Sequence, residues 1–187
     1  PDDQDSKWRV YTRFGTPEGF RNAVSTGCGY LYFGHGYATA DVMMHEMTHS
    51  VIRATSDLIY AHESGAINES MADVMGSFFE GRLDTPASPT FDARIGEDIT
   101  NPFASPPIRS MSMPGTDRYS MITVSATATE DNDFGGVHTN SGIGNQAAWF
   151  ITSGGSQNGF TVNGIDFDKA ERLYFDVMTR DLGPSSN

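Results

Sequence analysis

The segment from Val42 to Ser50, VMMHEMTHS, constrains this chain more than any other stretch, because it sets His45, Glu46 and His49 in an H-E-x-x-H pattern. In a helix, residues four apart lie about 40° apart around the axis and one turn up, so both imidazoles leave the same face. Two nitrogens held that way suit a tetrahedral Zn²⁺ at Zn–N distances of about 2.0–2.1 Å. Glu46, next to the first imidazole, falls beside such a metal rather than on it, the position of a general base for water that the metal activates. Three fixed letters in five also arise by chance in an amphipathic helix, so the pattern needs another ligand to carry weight.

Glu69 is that ligand's candidate. It sits in GAINESMADVMG (residues 65–76), where Ile67, Met71, Val74, Met75 and Phe78 recur at three- and four-residue spacing and predict a second helix. A carboxylate from a second helix completes a His₂Glu set and leaves the fourth coordination position open, the arrangement of catalytic zinc. Asp73 follows one turn later on the same face, placed to accept the free ring N–H of a ligating imidazole; Asn68, beside Glu69, is a second candidate support. The bland alternative is a solvated acidic stripe.

A third chemical element lies in EDNDFGGVHTNSGIGN (residues 130–145). His138 follows a Gly-Gly pair that lets backbone approach a ligand closely. Asp133 can accept its other ring N–H and favour the imidazolium, which would stabilise a developing oxyanion. A histidine at a helix start, with no chemical task, is the competing account. His35 and His62 have no such support and are expected in loops or on the surface.

VMMHEMTHS, LIYAHESGAINESMADVMG and DFGGVHTNSGIGNQAAW together resemble, in order and spacing, the thermolysin family of zinc metalloendopeptidases, a gluzincin family. The resemblance runs from about Asn22 to the end. It implies an α+β fold, a mostly helical zinc-peptidase lobe with a short N-terminal β element and the active-site helix at a cleft. Residues 1–39 would be a partial β-rich N-terminal lobe with a substrate-binding edge strand, and 40–187 an α-helical catalytic lobe with a truncated C-terminus. Most of the family's N-terminal lobe and its last helices would be missing, making this a fragment, a processed chain or a minimal version.

The resemblance also implies roles. Tyr60 matches a tyrosine that hydrogen-bonds the substrate carbonyl oxygen in the transition state, although a tyrosine after two aliphatic residues could equally belong to the core. Arg109 matches an arginine holding the carbonyl on the leaving-group side. Asn22 and Ala23 match an edge-strand pair that binds the substrate backbone as an added strand; an ordinary hairpin edge is the alternative. The family's Phe-Trp that follows is replaced by Val24 and Ser25. Val42, Ile95, Ile99 and Ile108 match walls of the pocket for the residue after the scissile bond, implying bulky apolar residues there, or they are simply core. Asp41, Glu80, Asp92, Glu97 and Asp98 fall on positions resembling calcium ligands. Arg94 stands where two-calcium members have an acid, which leaves one structural Ca²⁺ beside one catalytic Zn²⁺, against separately solvated acids.

The remaining elements are a strand within Trp8–Phe14, extended chain over Asn22–Phe33 turning at Gly27–Gly29, and a zinc helix over Ala40–Thr55 capped by Thr39 or Asp41. A helical run from Asn140 stops at Gly154-Gly155, and an amphipathic helix over Phe167–Leu182 is expected to bury Leu173, Phe175, Val177 and Met178. With 24 acids against 12 bases, a net charge of −12 disfavours nucleic acid and anionic membranes as partners. No apolar run approaches the roughly 20 residues of a membrane span, no leader is visible, and the single Cys28 permits no internal disulfide. The expectation is a secreted, monomeric zinc endopeptidase acting on peptide and protein substrates. A catalytically inactive or structural zinc-binding fragment is the alternative, and a narrow exopeptidase or non-peptide hydrolase is a further one.

Overall fold

In a computed structural model, residues 7–114 and 127–186 are described. Three short strands come first: β1 (Arg9–Tyr11), β2 (Ala23–Ser25) and β3 (Tyr30–Phe33). Their order is β1-β3-β2, with β1 parallel and β2 antiparallel to β3. The strand expected within Trp8–Phe14 is cut to three residues, because Arg13 already takes a left-handed φ of 55° ahead of Gly15. Alternation sets the sheet's inner face: Leu31 and Phe33 are fully buried, and Ala23 pairs with Phe33. This leaves β2 as an edge, lying along α1 (Ala40–Ala54).

Helix α1 packs on α2 (His62–Asp84), which also forms the largest interface with α3 (Asp133–Ser153). Close approach explains a glycine-bearing α2 that runs past the expected segment at both ends. A Cβ on Gly76 would stand 2.8 Å from the Asp41 carbonyl oxygen, and one on Gly65 would collide with Val137. Each glycine costs a helix about 1 kcal/mol, which tight packing of α1 and α3 on α2 offsets. Phe78 of α2 is the centre of the core, its ring 4.7 Å from Phe91 and 5.0 Å from Phe167.

Two-residue strands β4 (Arg94–Ile95) and β5 (Arg109–Ser110) pair antiparallel and carry Ile95 and Arg109 toward α2. A hairpin of β6 (Gly155–Gln157) and β7 (Phe160–Val162) leads to α4 (Phe167–Asp176), which continues as a π-helical turn, Val177–Asp181. The expected burial of this last helix is corrected in part. Phe167, Ala170, Tyr174 and Met178 form the buried stripe, whereas Leu173 and Phe175 are 43% and 44% exposed. Each of those two is displaced by about 100° from Tyr174 around the axis, so one stripe cannot bury all three. Among the described residues no helix is long and apolar enough to cross a membrane.

Candidate metal centre

Helix α1 presents His45 and His49 on one face, and α2 presents Glu69 opposite them. His45 Nε2 is 3.0 Å from His49 Nε2 and 3.5 Å from Glu69 Oε2, and His49 Nε2 is 3.3 Å from Glu69 Oε1. A tetrahedral ion with bonds of about 2.0–2.1 Å spaces its ligands roughly 3.3 Å apart, so the two imidazole nitrogens and the Glu69 carboxylate fit one zinc. Glu69 is fully buried, and its Oε2 accepts no hydrogen bond from the described residues, as expected of an oxygen that faces a cation.

The outer ring nitrogens are spoken for. His45 Nδ1 lies 2.8 Å from Asp73 Oδ1, and His49 Nδ1 lies 2.8 Å from Asn68 Oδ1. Those contacts select the tautomers that leave both Nε2 atoms pointing inward. Asp73 is also gripped by Arg109, whose Nε and Nη2 donate at 2.7 and 2.6 Å, and by Asn145 Nδ2 at 2.7 Å. Burial alone would raise the Asp73 carboxyl, but the Arg109 guanidinium and the His45 hydrogen bond hold it far below the carboxylate range. At Glu69 burial again opposes, and the surrounding His49, His45, His138 and Arg109 lower it to about 2. Burial would lower His45; its hydrogen bond and charge interaction with Asp73, backed by Glu69 and Glu46, raise it to about 9.

Opposite the helices stand Tyr60 and His138, with Tyr60 Oη 3.3 Å from His138 Nε2. Tyr60 donates to Glu69 Oε1, and its phenol is pushed well up by burial and by that carboxylate. His138 reaches the centre through an unusual backbone. Asp133, Phe134, Gly135 and Gly136 all take left-handed φ, at 56°, 49°, 89° and 87°, so the regular part of α3 begins only at Val137. Glycine tolerates this conformation; Asp133 and Phe134 pay about 1–2 kcal/mol each. The turn brings the Asp133 carboxylate onto both the His138 backbone N–H, at 2.9 Å, and its Nδ1. Burial would lower the His138 imidazole, but the Asp133 hydrogen bond and Glu69 raise it. The helical run expected from Asn140 thus starts earlier.

These groups line one cleft of about 1120 Å³, together with Glu46, Asn22, Ala23, Val42, Ile95, Ile108 and Arg109. Ile99 differs: it packs with Ala23, Phe33 and Val42 in the core behind the cleft. His62 is also no free loop residue. It opens α2, with its ring against Gly135. Two contributors escaped sequence reasoning: Asn145, a fully buried amide in an otherwise small and apolar stretch of α3, and Tyr37, whose buried ring joins the cleft wall.

Below α1, Asp41, Glu80 and Glu97 bring carboxylate oxygens within 4.8 Å of one another. Asp92 stands beside them, its charge raising both Glu80 and Glu97, while Asp98 is exposed and outside the group. Burial first, then Asp41, Glu97 and Asp92, push Glu80 up to about 8, as expected of crowded, partly buried acids. Arg94 Nε is 3.9 Å from both Asp92 and Glu97, so a positive charge already stands at the edge of this acidic group.

With this geometry in hand, comparison with known proteins is decisive. The family described as thermolysin metallopeptidase, alpha-helical domain, matches residues 56–187. This chain belongs to the thermolysin metallopeptidase family. It is 41% identical over 182 residues to the thermostable neutral protease NprT of Geobacillus stearothermophilus, covering 90% of this chain and 31% of that protein. It is 40% identical to the thermolysin of Alicyclobacillus acidocaldarius subsp. acidocaldarius, at 90% and 32% coverage. The precursor of protealysin, a metalloproteinase from Serratia proteamaculans, superposes with a TM-score of 0.70 at 27% identity, over 96% of this chain and 58% of that one. The chain therefore spans about a third of the length of the curated relatives it matches.

Proposed function

We propose that this chain is the catalytic part of a zinc-dependent endopeptidase that prefers bulky apolar residues after the scissile bond. The observation that carries the proposal is the convergence of His45 Nε2, His49 Nε2 and Glu69 within 3.0–3.5 Å, with both Nδ1 atoms turned outward. A zinc ion held by those three residues would supply a Lewis acid that acidifies water and polarises the scissile carbonyl.

The chain's own groups do the rest. Glu46, nearly buried and on the cleft wall, takes the proton of the attacking water and returns it to the leaving amine. Tyr60 keeps its phenolic proton and Asp133 favours the charged form of His138, which positions both to donate to the oxyanion developing at the carbonyl. Asn22, just before β2, and Ala23, the first residue of that edge strand, pair with the substrate backbone, while Arg109, anchored on Asp73, faces the leaving-group side. Val42, Ile95 and Ile108 supply an apolar wall that gains by burying a large side chain.

The test is digestion of one long peptide, with fragments sequenced. Internal cuts before Leu, Ile or Phe that vanish with a chelator and return with zinc are expected. Metal-independent cleavage, or zinc binding without any cleavage, would refute the proposal, the second outcome marking a structural zinc fragment.

We further propose that Asp41, Glu80 and Glu97 hold one Ca²⁺, with a Kd in the range of about 10⁻⁴–10⁻³ M of extracellular calcium modules. A carboxyl whose folded pKa is raised removes stability as pH climbs from the unfolded value of about 4.3 through the folded value, here about 8. Calcium at about 100 times its Kd should add about 2.7 kcal/mol, or about 5–10 °C in melting temperature. The gain should be larger at pH 8 than at pH 6 and absent in Glu80→Gln; thermal melts of the zinc-loaded protein measure it, and an equal gain in Glu80→Gln would refute the site.

A further inference from the structure

Tyr60 reaches the metal centre from the short link between α1 and α2, and a phenol on a link is only as well placed as the link itself. Its hydroxyl is met by Glu69 of α2 and by His138, while the backbone of the link that carries it is tied to a distant segment. The Ile59 N–H, one residue before Tyr60, donates 2.8 Å to the carbonyl oxygen of Pro184, far along the chain. The Ser64 hydroxyl, on the first turn of α2 and only 8% exposed, donates to the Ile59 carbonyl oxygen and lies 3.2 Å from the same Pro184 oxygen, across 120 residues of sequence. The Ala61 N–H closes on the Ile59 carbonyl at 2.8 Å. Pro184 is itself held in a tight turn, with Gly183 N–H on Ser186 Oγ at 2.9 Å and Ser186 N–H on Gly183 O at 3.0 Å. On the opposite side of Tyr60, the Phe134 ring meets it edge-on at 5.5 Å.

We propose that Ser64 and the Gly183–Ser186 turn form a strap that positions Tyr60 for transition-state binding, Ser64 being a positioning residue that never touches substrate. The inference rests on the proposed role of Tyr60 as an oxyanion donor. Its physical basis is that a donor must stand within hydrogen-bond range of where the oxyanion forms, and a displacement of about 1 Å can cost on the order of 10²-fold in rate. Both backbone groups of Ile59 are tied, one to the strap directly and one through the Ser64 hydroxyl, so the residue bearing the phenol inherits a fixed path. The N-cap of α2 is Ala61, which has no capping side chain; the Ser64 hydroxyl, on the first turn, turns back to the preceding link.

The test uses the zinc-loaded full chain and five enzymes: parent, Ser64→Ala, Ser64→Thr, Tyr60→Phe and the Ser64→Ala/Tyr60→Phe double variant. Ser64→Ala should lower kcat about tenfold with little change in KM or zinc content, and Ser64→Thr should restore most of the loss. On the Tyr60→Phe background the same substitution should cost less than twofold, because the group it positions is gone. Amide exchange at Ile59 and Ala61 should quicken in Ser64→Ala while exchange in the body of α2 stays as in the parent. Should Ser64→Ala prove too unstable to purify, Pro184→Gly, which loosens the turn and leaves Ser64 in place, must give the same pattern. A tenfold loss that persists in the Tyr60→Phe background overturns the strap alone. A Tyr60→Phe enzyme as fast as the parent overturns the donor role of Tyr60, and the strap with it.

Discussion

Replacing Glu46 with glutamine should abolish nearly all turnover and leave the metal in place. The side chain is only 6% exposed and sits on the cleft wall, one residue after His45 on α1. Helical geometry turns it about 100° from the first imidazole, so it borders the centre without joining the three-atom set of His45, His49 and Glu69. An amide cannot take a proton from water at neutral pH, and a positioned base contributes about 10²–10⁴-fold, so kcat should drop by that factor. Zinc should remain near one ion per chain, since no ligand changes, and the near-isosteric amide should leave the melting temperature within a few degrees. Single-turnover kinetics on an internally quenched peptide, with metal content measured on the same sample, decides the matter. Near-parental cleavage by zinc-loaded Glu46→Gln would remove Glu46 from the mechanism.

Much of this centre was legible in the sequence because its parts are local. His45 and His49 share a face by helical period alone, and Glu69 and Asp73 share another for the same reason. What remained illegible depends on where distant segments meet. That Arg109 grips Asp73 follows from the β4–β5 pairing, which two-residue strands do not announce. Ile99 had the same aliphatic character as Ile95 and Ile108, yet one packs behind the wall the others form, a distinction of orientation rather than composition. Ser64 and Pro184 carry no motif at all, and only the chain's return past the α1–α2 link brings them together. The left-handed run from Asp133 to Gly136 was half visible: the glycine pair signalled close backbone approach, but not that Asp133 and Phe134 would share the conformation.

The largest effect on stability should come from Asp73, which is fully buried, accepts three hydrogen bonds from Arg109 and Asn145, and pairs with the His45 imidazole at 2.8 Å. It faces one permanent cation, Arg109, and one imidazole, His45, in a place water does not reach. Deleting a partner from such a buried charge set leaves the rest uncompensated, which costs about 3–5 kcal/mol. For a chain of this size, that corresponds to a fall of about 6–20 °C in melting temperature for Asp73→Ala. Asp73→Asn keeps the shape and some hydrogen bonds but not the charge, so its loss should be smaller yet in the same direction. The pH dependence separates charge from packing. Because the folded pKa of Asp73 lies below its unfolded value, the carboxylate adds stability above about pH 4 that is lost progressively as pH falls. The parent's acid-side decline should therefore flatten in both variants, leaving the share that Glu69, lowered to about 2, still contributes. Urea unfolding at pH 7 and pH 4 gives the comparison. A loss below about 1 kcal/mol at pH 7, or an unchanged slope toward acid, would mean that Arg109 finds another counter-charge and that Asp73 serves only to orient His45.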